Sequence, residues 1–413
     1  MTTRVLRFLR SPLFPIFMIV FVDMLGVGIT LPVLPLYAQG VFHASAAQIT
    51  LLTSVYFAAQ FFAAPRLGRL SDRIGRRPVL IVSQSGSLAA LLLSGAATGL
   101  PILYLARVVD GLTGGNISVA QAYLSDITEP RHRAQGLGLV NAAFGSGMIF
   151  GPAFGAIVAA IYGPRAPFFL AAVVSLVTIT LSWRLLPESL PPAERARRAA
   201  AREAARAVRG PRWGLLALPG LLLLMAVGFL LQLSFFSFQT TWVLWAEAVL
   251  FAGRDPATTQ QAVGAVFTFI GIFAIATQVW LVGPLVRRVG ERGMVAAGTA
   301  MRLLPWVVMP LWPSLPLAVA VMPLVAIGGG VSFPALMALL TYIAPQEQHG
   351  QAIGLMESIQ GVGRISGPLL AGWMFQAISP GAPMLFAAGI SVVALLAIAA
   401  VKRSRQPAGV ASR

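Results

Sequence analysis

The sequence predicts an all-α integral membrane protein with twelve transmembrane helices, arranged as two pseudo-symmetric halves of six helices each. Of the 413 residues, 57% are hydrophobic and only 10% are charged, which excludes an ordinary soluble domain. Apolar stretches of about 20 residues, long enough to span a bilayer, alternate with short polar loops. A pattern of glycine, arginine and proline in the first half also returns in the second half, which indicates a duplicated unit.

Two pairs of matching segments carry the evidence for duplication. Residues 68–77 have nearly the same glycine and arginine spacing as residues 283–292. A second pattern, Gly138, Gly145, Gly147, Gly151 and Pro152, recurs as Gly354, Gly361, Gly363, Gly367 and Pro368. Because both pairs have nearly the same offset and the same chain direction, we expect the halves to be related by an axis along the membrane normal.

The halves are assigned to residues 1–186 and 213–413, with a basic linker at residues 187–212. The linker arginines recur at steps of three and four, so a helix there would lie with one basic face on anionic membrane lipid. The predicted spans are residues 12–37, 46–66, 78–98, 101–122, 136–160, 166–186, 213–241, 260–283, 294–312, 316–342, 351–377 and 383–401.

The distribution of basic residues predicts the orientation of the chain. With the N-terminus in the cytoplasm, only Arg165 and Arg254 of the 30 lysines and arginines fall in outer loops. This excess of positive charge inside predicts a multi-pass protein of the cell membrane with both termini in the cytoplasm. The net charge of +17 therefore reflects topology, and nucleic acid is not expected as a partner.

Span one carries an acidic residue within the membrane. Asp23 is costly there unless it is protonated, paired or facing water. A structural ion pair or a backbone cap explains it as well as a transport role does. Residues 21–35 resemble the first helix of the tetracycline-type drug/proton antiporters, which implies that Asp23 takes part in proton coupling.

The polar residues 68–78 turn the chain between spans two and three. Gly68 and Gly75 are expected to supply the backbone freedom, and Pro78 to start the next helix. The pattern G-x-L-S-D-R-x-G-R-R-P resembles the loop between the second and third helices of the major facilitator superfamily, which implies a conformational lock. The residues assigned to this lock, including an acid at the end of span four, are Gly68, Asp72, Arg73, Gly75, Arg76, Arg77 and Asp126.

Span four holds the densest set of charged residues. Arg107 and Asp110 are three residues apart, so they share a helix face and can interact. Inside a bilayer such a pair must face a cavity or the protein interior. The R-x-x-x-G spacing of Arg107 and Gly111 resembles the helix-four motif that the family associates with proton transfer, although a structural salt bridge also explains the pair.

Span five contains the pattern G-x-x-x-G-P-x-x-G, formed by Gly147, Gly151, Pro152 and Gly155. Proline bends a helix, and the glycines allow another helix to approach closely. The pattern resembles the motif that marks the antiporter, or export, branch of the superfamily. The resemblance therefore favours efflux over uptake, since a kinked helix by itself encodes no direction.

Span eleven carries Glu357 and Arg364, seven residues apart on one helix face. Helical rise separates their backbones by roughly 10 Å, so each is expected to need a different partner. Glu357 is the alternative proton carrier if the acids of spans one and four do not serve. The residues assigned to proton coupling are thus Asp23, Arg107, Asp110 and Glu357.

Aromatic and amide side chains outnumber ionisable groups in the spans expected to line a central cavity, although ordinary packing explains several of them equally well. This composition predicts loose, mainly hydrophobic recognition of a small-molecule substrate. The residues assigned to the cavity are Phe57, Gln60, Phe61, Asn141, Phe235, Phe236, Phe238 and Gln239.

The chain lacks the residues for a thiolate metal site, a buried zinc site or a catalytic triad. The chain contains no cysteine, which excludes disulfides and thiolate metal sites. Its three histidines, His43, His132 and His349, all fall in predicted loops. No enzyme activity, cofactor or metal is expected.

The whole chain resembles a twelve-helix major facilitator protein of the drug/proton antiporter branch. The resemblance implies a monomer that exports small amphipathic organic compounds in exchange for protons by alternating access. Span nine lacks the acidic residue that the tetracycline exporters carry, so tetracycline is not identified as the substrate. Two alternatives stay open: a facilitator of a lipid, sugar or other metabolite, and a membrane assembly factor that has kept the fold without transport.

Overall fold

The computed structural model describes residues 13–114, 116–128, 133–197, 200, 218, 220–277, 280, 282–345 and 348–401. Within these residues the chain is helical and forms no β-strand. The helices are α1 (Leu13–Phe42), α2 (Ala46–Ile74), α3 (Arg76–Gly95), α4 (Leu100–Thr113), α5 (Asn116–Ile127), α6 (Arg133–Tyr162), α7 (Ala166–Leu185), α8 (Leu221–Trp245), α9 (Pro256–Ala276), α10 (Val282–Leu311), α11 (Leu315–Ile343), α12 (His349–Ala377) and α13 (Ala382–Ala400).

Nine helices in the described part of the chain are long and apolar enough to cross a membrane. The predicted all-α membrane fold is therefore confirmed, and each predicted span overlaps a described helix. The count of twelve spans stays a prediction. A helix is predicted for the linker, residues 187–212. Most of that helix lies outside the described residues, because of residues 198–219 the structure describes only 200 and 218.

Predicted span four is interrupted. α4 ends at Thr113 and α5 begins at Asn116, and Gly114 between them has non-helical dihedral angles (φ −70°, ψ 34°). Glycine is the weakest helix former after proline, and the sequence places two glycines in succession here. The span is therefore built from two short helices instead of one continuous helix.

The helix found at predicted span seven, α8, differs from the prediction at both ends. α8 begins only at Leu221, because Gly220 caps it in the left-handed conformation with φ of 84°. Its other end continues into a π-helical turn, Ala246–Leu250. A π-turn shifts the helix register by one residue, so side chains beyond Trp245 point in directions that a regular helix would not give.

The turn between α2 and α3 is tighter than the sequence predicts. α2 continues to Ile74, and α3 begins at Arg76. Gly75 alone reverses the chain, with φ of 112° and ψ of 160°, a region that only glycine adopts without strain. Gly68, expected to take part in the turn, lies inside α2, so only Gly75 supplies the backbone freedom.

The second half repeats this turn. Gly290 has φ of 68° and ψ of 172° and divides α10 into two helical segments. Arg77 donates a hydrogen bond to the carbonyl of Trp183 near the end of α7, and Arg292 donates at 3.0 Å to the carbonyl of Ile398 near the end of α13. Each arginine thus satisfies free carbonyls at the C-terminus of the last helix in its half.

Glycines determine how closely the helices pack within each half. A Cβ added at Gly151 of α6 would lie 2.7 Å from Gly28 Cα of α1. A Cβ added at the matching Gly367 of α12 would lie 2.9 Å from the Leu233 carbonyl oxygen of α8. α1–α6 and α8–α12 are therefore equivalent, backbone-close pairs, as the sequence repeat predicts.

The two halves meet along α6–α9 and α2–α12. We call the end of the bundle with Gly75 and Gly290 the linker face, and the end with His43 and Gly253 the far face. Toward the far face, Leu36 packs into a hydrophobic cluster of the second half, and Leu244 packs into one of the first half. The helices of both halves therefore enclose the interior toward the far face.

Candidate functional site

A cavity of about 130 Å³ lies mainly within the first half of the bundle. α1, α2, α3, α4 and α7 form most of its wall, and α8 contributes Phe236, Gln239 and Thr240. Its charged lining residues are Asp23, Arg107 and Asp110. Three residues that sequence analysis assigned to proton coupling therefore share one space, although they belong to two helices far apart in the chain.

Arg107 and Asp110 form an ion pair in the wall of this cavity. The Arg107 Nη1 to Asp110 Oδ2 distance is 3.3 Å, and the two side chains are 7% and 20% exposed. Arg107 Nη2 also donates to Ser94 Oγ of α3 at 3.4 Å, and Ser87 of α3 hydrogen-bonds Asp110. The pair is thus held against α3 while still facing the cavity, as an intramembrane ion pair requires.

Tyr56 connects the two acidic sites. Its ring is close enough to Asp110, Asp23 and Arg107 for electrostatic interaction with all three. Its hydroxyl accepts a hydrogen bond of 3.2 Å from Gln60 Nε2, which also donates to the Gly114 carbonyl at 2.8 Å. Gln60, assigned to the cavity wall, therefore supports Tyr56 and the α4–α5 break from behind that wall.

Gln84 of α3 was missed by the sequence reasoning. It lines the cavity at 4% exposure, and neither its Oε1 nor its Nε2 has a partner among the described residues. Arg107 Nε is likewise buried without a partner there. The available signal was an amide in the middle of an apolar span, but the sequence does not show which way it points.

The remaining cavity assignments divide between the wall and the packed core. Phe57, Phe236 and Gln239 line the cavity, and the Phe57 and Phe236 rings meet edge to face at 4.8 Å. Phe61 packs over Gly361 of α12, and Phe235 packs against Phe333.

The last two residues assigned to the cavity are Phe238 and Asn141. Phe238 is buried in the core against Trp306, with ring centroids 5.7 Å apart. An aromatic residue on a helix that contributes to the cavity therefore need not face it. The side chain of Asn141 lies outside the part of the chain that the structure describes.

Glu357 does not reach this cavity. It forms an ion pair of 3.3 Å with Arg364, although the two residues lie seven apart on α12. The expectation that each would need another partner is therefore corrected, because both side chains extend along the helix toward each other. Glu357 is 51% exposed and Arg364 is 28% exposed, so the pair is accessible and not buried.

Arg302, for which the sequence offers no explanation, is fully buried between α10 and α11. Its Nη2 lies 3.3 Å from Ser332 Oγ, and its guanidinium lies over the rings of Trp306 and Phe333 at 5.5 and 5.2 Å. Cation–π contacts of this kind stabilise a buried guanidinium in place of an acid.

A second charge cluster lies at the linker face. Arg76 pairs with Asp72 at 2.7 Å and with Asp126 at 3.1 Å, and its Nη1 donates to Ser71 Oγ at 2.6 Å. We call these four residues the Arg76 cluster. It joins α2, α3 and α5, so the predicted grouping of Asp72, Arg76 and Asp126 is present in this conformation.

Glu188, which sequence analysis did not assign, binds the start of α3 at the linker face. Its carboxylate accepts hydrogen bonds from the backbone N–H groups of Arg76 at 2.8 Å and Arg77 at 3.2 Å. These N–H groups are free at the start of α3, and a carboxylate there also interacts favourably with the helix dipole. Arg73, also assigned to the lock, is exposed in the last turn of α2.

The span-five motif lies on the α1 side of α6. Gly147 and Gly151 approach the α1 backbone between Phe21 and Gly28, and Gly155 faces Ile29. Pro152 lies inside α6, with its ring close to Gly28. The motif therefore holds α1, and with it Asp23, against α6.

Within the residues described, no group of three or more acidic, histidine or cysteine side chains could hold a metal ion.

The chain is similar in sequence to known proteins. The family model described as Major Facilitator Superfamily matches residues 16–250 and 230–412. Tetracycline resistance protein, class C, of Escherichia coli is 34% identical over 350 residues, covering 84% of this chain and 85% of the relative. Multidrug resistance protein 2 of Bacillus subtilis (strain 168) is 27% identical over 377 residues, covering 91% of each chain.

Among solved structures, the nucleoside transporter NupG is similar with a TM-score of 0.77 at 14% identity, covering 96% of this chain and 100% of that one. A likeness at this low identity shows the fold alone. What the site binds must therefore be argued from its own residues.

Proposed function

The chain belongs to the major facilitator superfamily, and from that premise we propose that it exports small amphipathic organic compounds in exchange for protons. The family consists of transporters, not enzymes, and the relatives named tetracycline and multidrug resistance proteins support efflux. The observation that carries the proton exchange is the convergence of Asp23, Asp110 and Arg107 on one buried cavity.

The ion pair offers a physical route to coupling. Loss of water and approach of a guanidinium favour opposite protonation states of a carboxyl group. Arg107 itself stays charged, so it acts on the acids without releasing a proton. Any movement that changes its 3.3 Å separation from Asp110 changes the proton affinity of that acid, which links protonation to conformation.

Alternating access supplies such a movement. We propose that residues 1–186 and 213–413 rock against each other, with residues 187–212 as the connection, and that the Arg76 cluster and Gly75 act as the lock. The cavity of about 130 Å³ is smaller than the roughly 300–1000 Å³ of a typical ligand pocket. Substrate must therefore enter a wider state, in which α2–α12 or α6–α9 separate.

The substrate class follows from the cavity wall. Phe57 and Phe236 offer aromatic faces, and Asp23 and Asp110 favour neutral or cationic compounds over anions. We further propose that the protein acts as a monomer in the cytoplasmic membrane, in contact with lipid and with the linker face inside. The excess of arginine near that face supports this orientation.

Transport into proteoliposomes tests the proposal. Purified protein is reconstituted, a proton gradient is imposed, and uphill movement of ethidium is followed by fluorescence. We expect accumulation that an uncoupler abolishes. Movement down the ethidium gradient that ignores the uncoupler would instead indicate a facilitator, and no movement of any amphipathic substrate would indicate a non-transporting protein; either result overturns the proposal.

A further inference from the structure

Another cavity, of about 370 Å³, lies at the far face, away from the cavity that contains Asp23 and Asp110. Its wall combines the end of α1 and the α1–α2 turn with the ends of α8 and α12 and the π-helical turn after α8. Its volume is within the roughly 300–1000 Å³ of a typical ligand pocket. We call this cavity the far-face pocket, and its lining residues include Gln39, His43, Leu244, Phe375 and Gln376.

Both halves of the chain contribute to the far-face pocket. Gln39 and His43 come from the first half, whereas Leu244, Phe375 and Gln376 come from the second. Leu244 packs into a hydrophobic cluster of the first half, and Phe375 packs against clusters of both halves. The pocket is therefore present while the far face is closed, and it loses a wall if the halves separate there.

His43 occupies a strained position in the turn after α1. Its φ of 52° is left-handed, and among the described residues it is the one residue other than glycine with a positive φ. Its N–H donates to the Gln39 carbonyl at 3.0 Å, and the Ala44 N–H donates to the Ala38 carbonyl at 3.1 Å. These bonds form a helix C-cap in which glycine usually holds this position. An imidazole where glycine would be unstrained indicates a role for the side chain beyond the turn itself.

The far-face pocket is lined by polar side chains without a fixed charge. Its lining includes no aspartate, glutamate, lysine or arginine, so a charged ligand would find no counter-charge there. The side chains of Gln39, His43 and Gln376 make no hydrogen bond within the part of the chain that the structure describes. Each amide offers both donors and an acceptor, and a neutral imidazole offers one of each.

We propose that the far-face pocket binds a neutral ligand that carries several hydroxyl groups beside a flat apolar face, the chemistry of a pyranoside. A hydroxyl group both donates and accepts, so it matches amide and imidazole groups in either orientation. The apolar face of the ligand packs on Phe375 and Leu244. A free saccharide and the headgroup of a glycolipid share this chemistry.

Such a ligand is expected to inhibit transport without being exported itself. It contacts both halves only while the far face is closed, so its binding shifts the protein towards that state. The site goes beyond the proposed export function, but its inhibitory effect rests on that function, because export requires the far face to open.

Two probes of similar shape test the chemistry of the ligand. Phenyl β-D-glucopyranoside is neutral, and phenyl β-D-glucuronide has a carboxylate in place of the hydroxymethyl group. Binding to the purified full-length protein is measured by calorimetric titration in phosphatidylcholine nanodiscs, at about pH 8, where free imidazole is neutral. We expect the glucoside to bind about tenfold more tightly than the glucuronide, because the carboxylate loses water without gaining a counter-charge.

Two variants and a matched control test the residues. Gln376→Leu removes one amide at the end of α12 and should weaken glucoside binding about tenfold. His43→Gly removes the imidazole and relieves the backbone, so it should weaken binding without lowering the melting temperature. Gln261→Leu alters an exposed glutamine of α9 that does not line the pocket, and it should leave binding unchanged.

Cysteine labelling tests whether the ligand holds the far face closed, because the chain has no cysteine of its own. Leu34 of α1 is buried and is reached from outside only when the far face opens. Saturating glucoside should slow the reaction of Leu34→Cys with a polar maleimide, and Gln376→Leu should abolish this protection. Monoglucosyldiacylglycerol added to the nanodiscs distinguishes the two sources: competition with the glucoside indicates a lipid headgroup, and no competition indicates a free saccharide.

Three results would overturn the far-face site: no glucoside binding, equal binding of the two probes, or an unchanged labelling rate of Leu34→Cys. Full glucoside binding by both Gln376→Leu and His43→Gly would overturn it as well. Ethidium transport measured without glucoside separates this failure from that of the export function. Uphill ethidium transport with no glucoside binding overturns the far-face site alone, whereas absence of all coupled transport overturns the export function.

Discussion

At the scale of single residues, the acids of the cavity are expected to carry the coupling proton. Asp110→Asn and Asp23→Asn keep the side-chain size but remove the titratable carboxyl group, so proton movement should no longer drive substrate uphill. In proteoliposomes we expect each variant to bind substrate and to equalise its concentration across the membrane, but not to accumulate it.

The control is Asp255→Asn, which alters an exposed aspartate that caps α9 on the far face. Asparagine caps a helix as well as aspartate does, so this variant should transport like wild type. Near wild-type uphill transport by both cavity variants would exclude Asp23 and Asp110 as carriers, and the same assay on Glu357→Gln would then test the remaining acid.

Three glycines separate backbone strain from steric contact at the linker face. Gly75 has both a glycine-only conformation and a neighbour, because an added Cβ would overlap the Glu188 carboxylate. Gly290 has the conformation but nothing within 4 Å, and Gly68 is helical with nothing within 4 Å. The series therefore tests whether the turns depend on dihedral angle, on contact or on both.

We expect Gly290→Ala to cost about 1–3 kcal/mol of unfolding free energy and Gly75→Ala to cost more. Gly68→Ala should be neutral or stabilise by about 0.5–1 kcal/mol, since alanine favours a helix over glycine. Thermal unfolding of the purified variants, followed by tryptophan fluorescence, gives the order. Equal melting temperatures for Gly75→Ala and Gly68→Ala would show that the turn does not need glycine at residue 75.

At the scale of helices, the close packing of α1 on α6 and of α8 on α12 makes a paired prediction. Gly151→Ala and Gly367→Ala each place a methyl group against the backbone of the facing helix, and such overpacking costs about 1–3 kcal/mol. Both variants should therefore lower the melting temperature. Gly389→Ala in α13, with nothing within 4 Å, is the matched control.

The two variants should differ in transport if α1 carries the coupling acid. Gly151→Ala displaces the helix that bears Asp23, whereas Gly367→Ala displaces α8, whose Phe236 and Gln239 line the cavity proposed to bind substrate. We expect the first to weaken uphill accumulation and the second to weaken substrate binding. Identical effects on both measurements would contradict this division between the two helix pairs.

At the scale of the whole molecule, the Arg76 cluster is expected to bias which face of the bundle opens. Asp72→Asn removes one of the two acids that hold Arg76, so α2 should be less firmly joined to α3, while the Arg76–Asp126 pair between α3 and α5 remains. We expect the linker face to open more often and transport to fall, while the protein stays folded.

Cysteine labelling measures this shift, because the chain has no cysteine of its own. Ile19 and Leu34 line the same cavity from the same helix, Ile19 nearer the linker face and Leu34 nearer the far face. In the Asp72→Asn background, Ile19→Cys should react faster and Leu34→Cys more slowly than in the native background. Unchanged rates at both positions would rule out a lock at Asp72, and Asp255→Asn serves as the control for a distant aspartate.

The sequence by itself determined the class of the fold, the duplication and the pairing of Arg107 with Asp110. These features depend on composition, on repeated spacing and on residues within one helical turn, all of which are local. The repeat is seen in the structure in three dimensions, where Gly75 and Gly290 make equivalent turns and Arg77 and Arg292 make equivalent contacts.

Only the tertiary structure decided which side chains share the cavity. Phe57 and Phe236 meet there, whereas Phe238, on the same helix as Phe236, packs against Trp306. The burial of the Gln84 amide, which has no partner among the described residues, depends equally on helices distant in the chain. The physical reason is that helix rotation and approach are set by glycine contacts between helices, and an apolar span is hydrophobic on every side, so its sequence does not show which face turns inward.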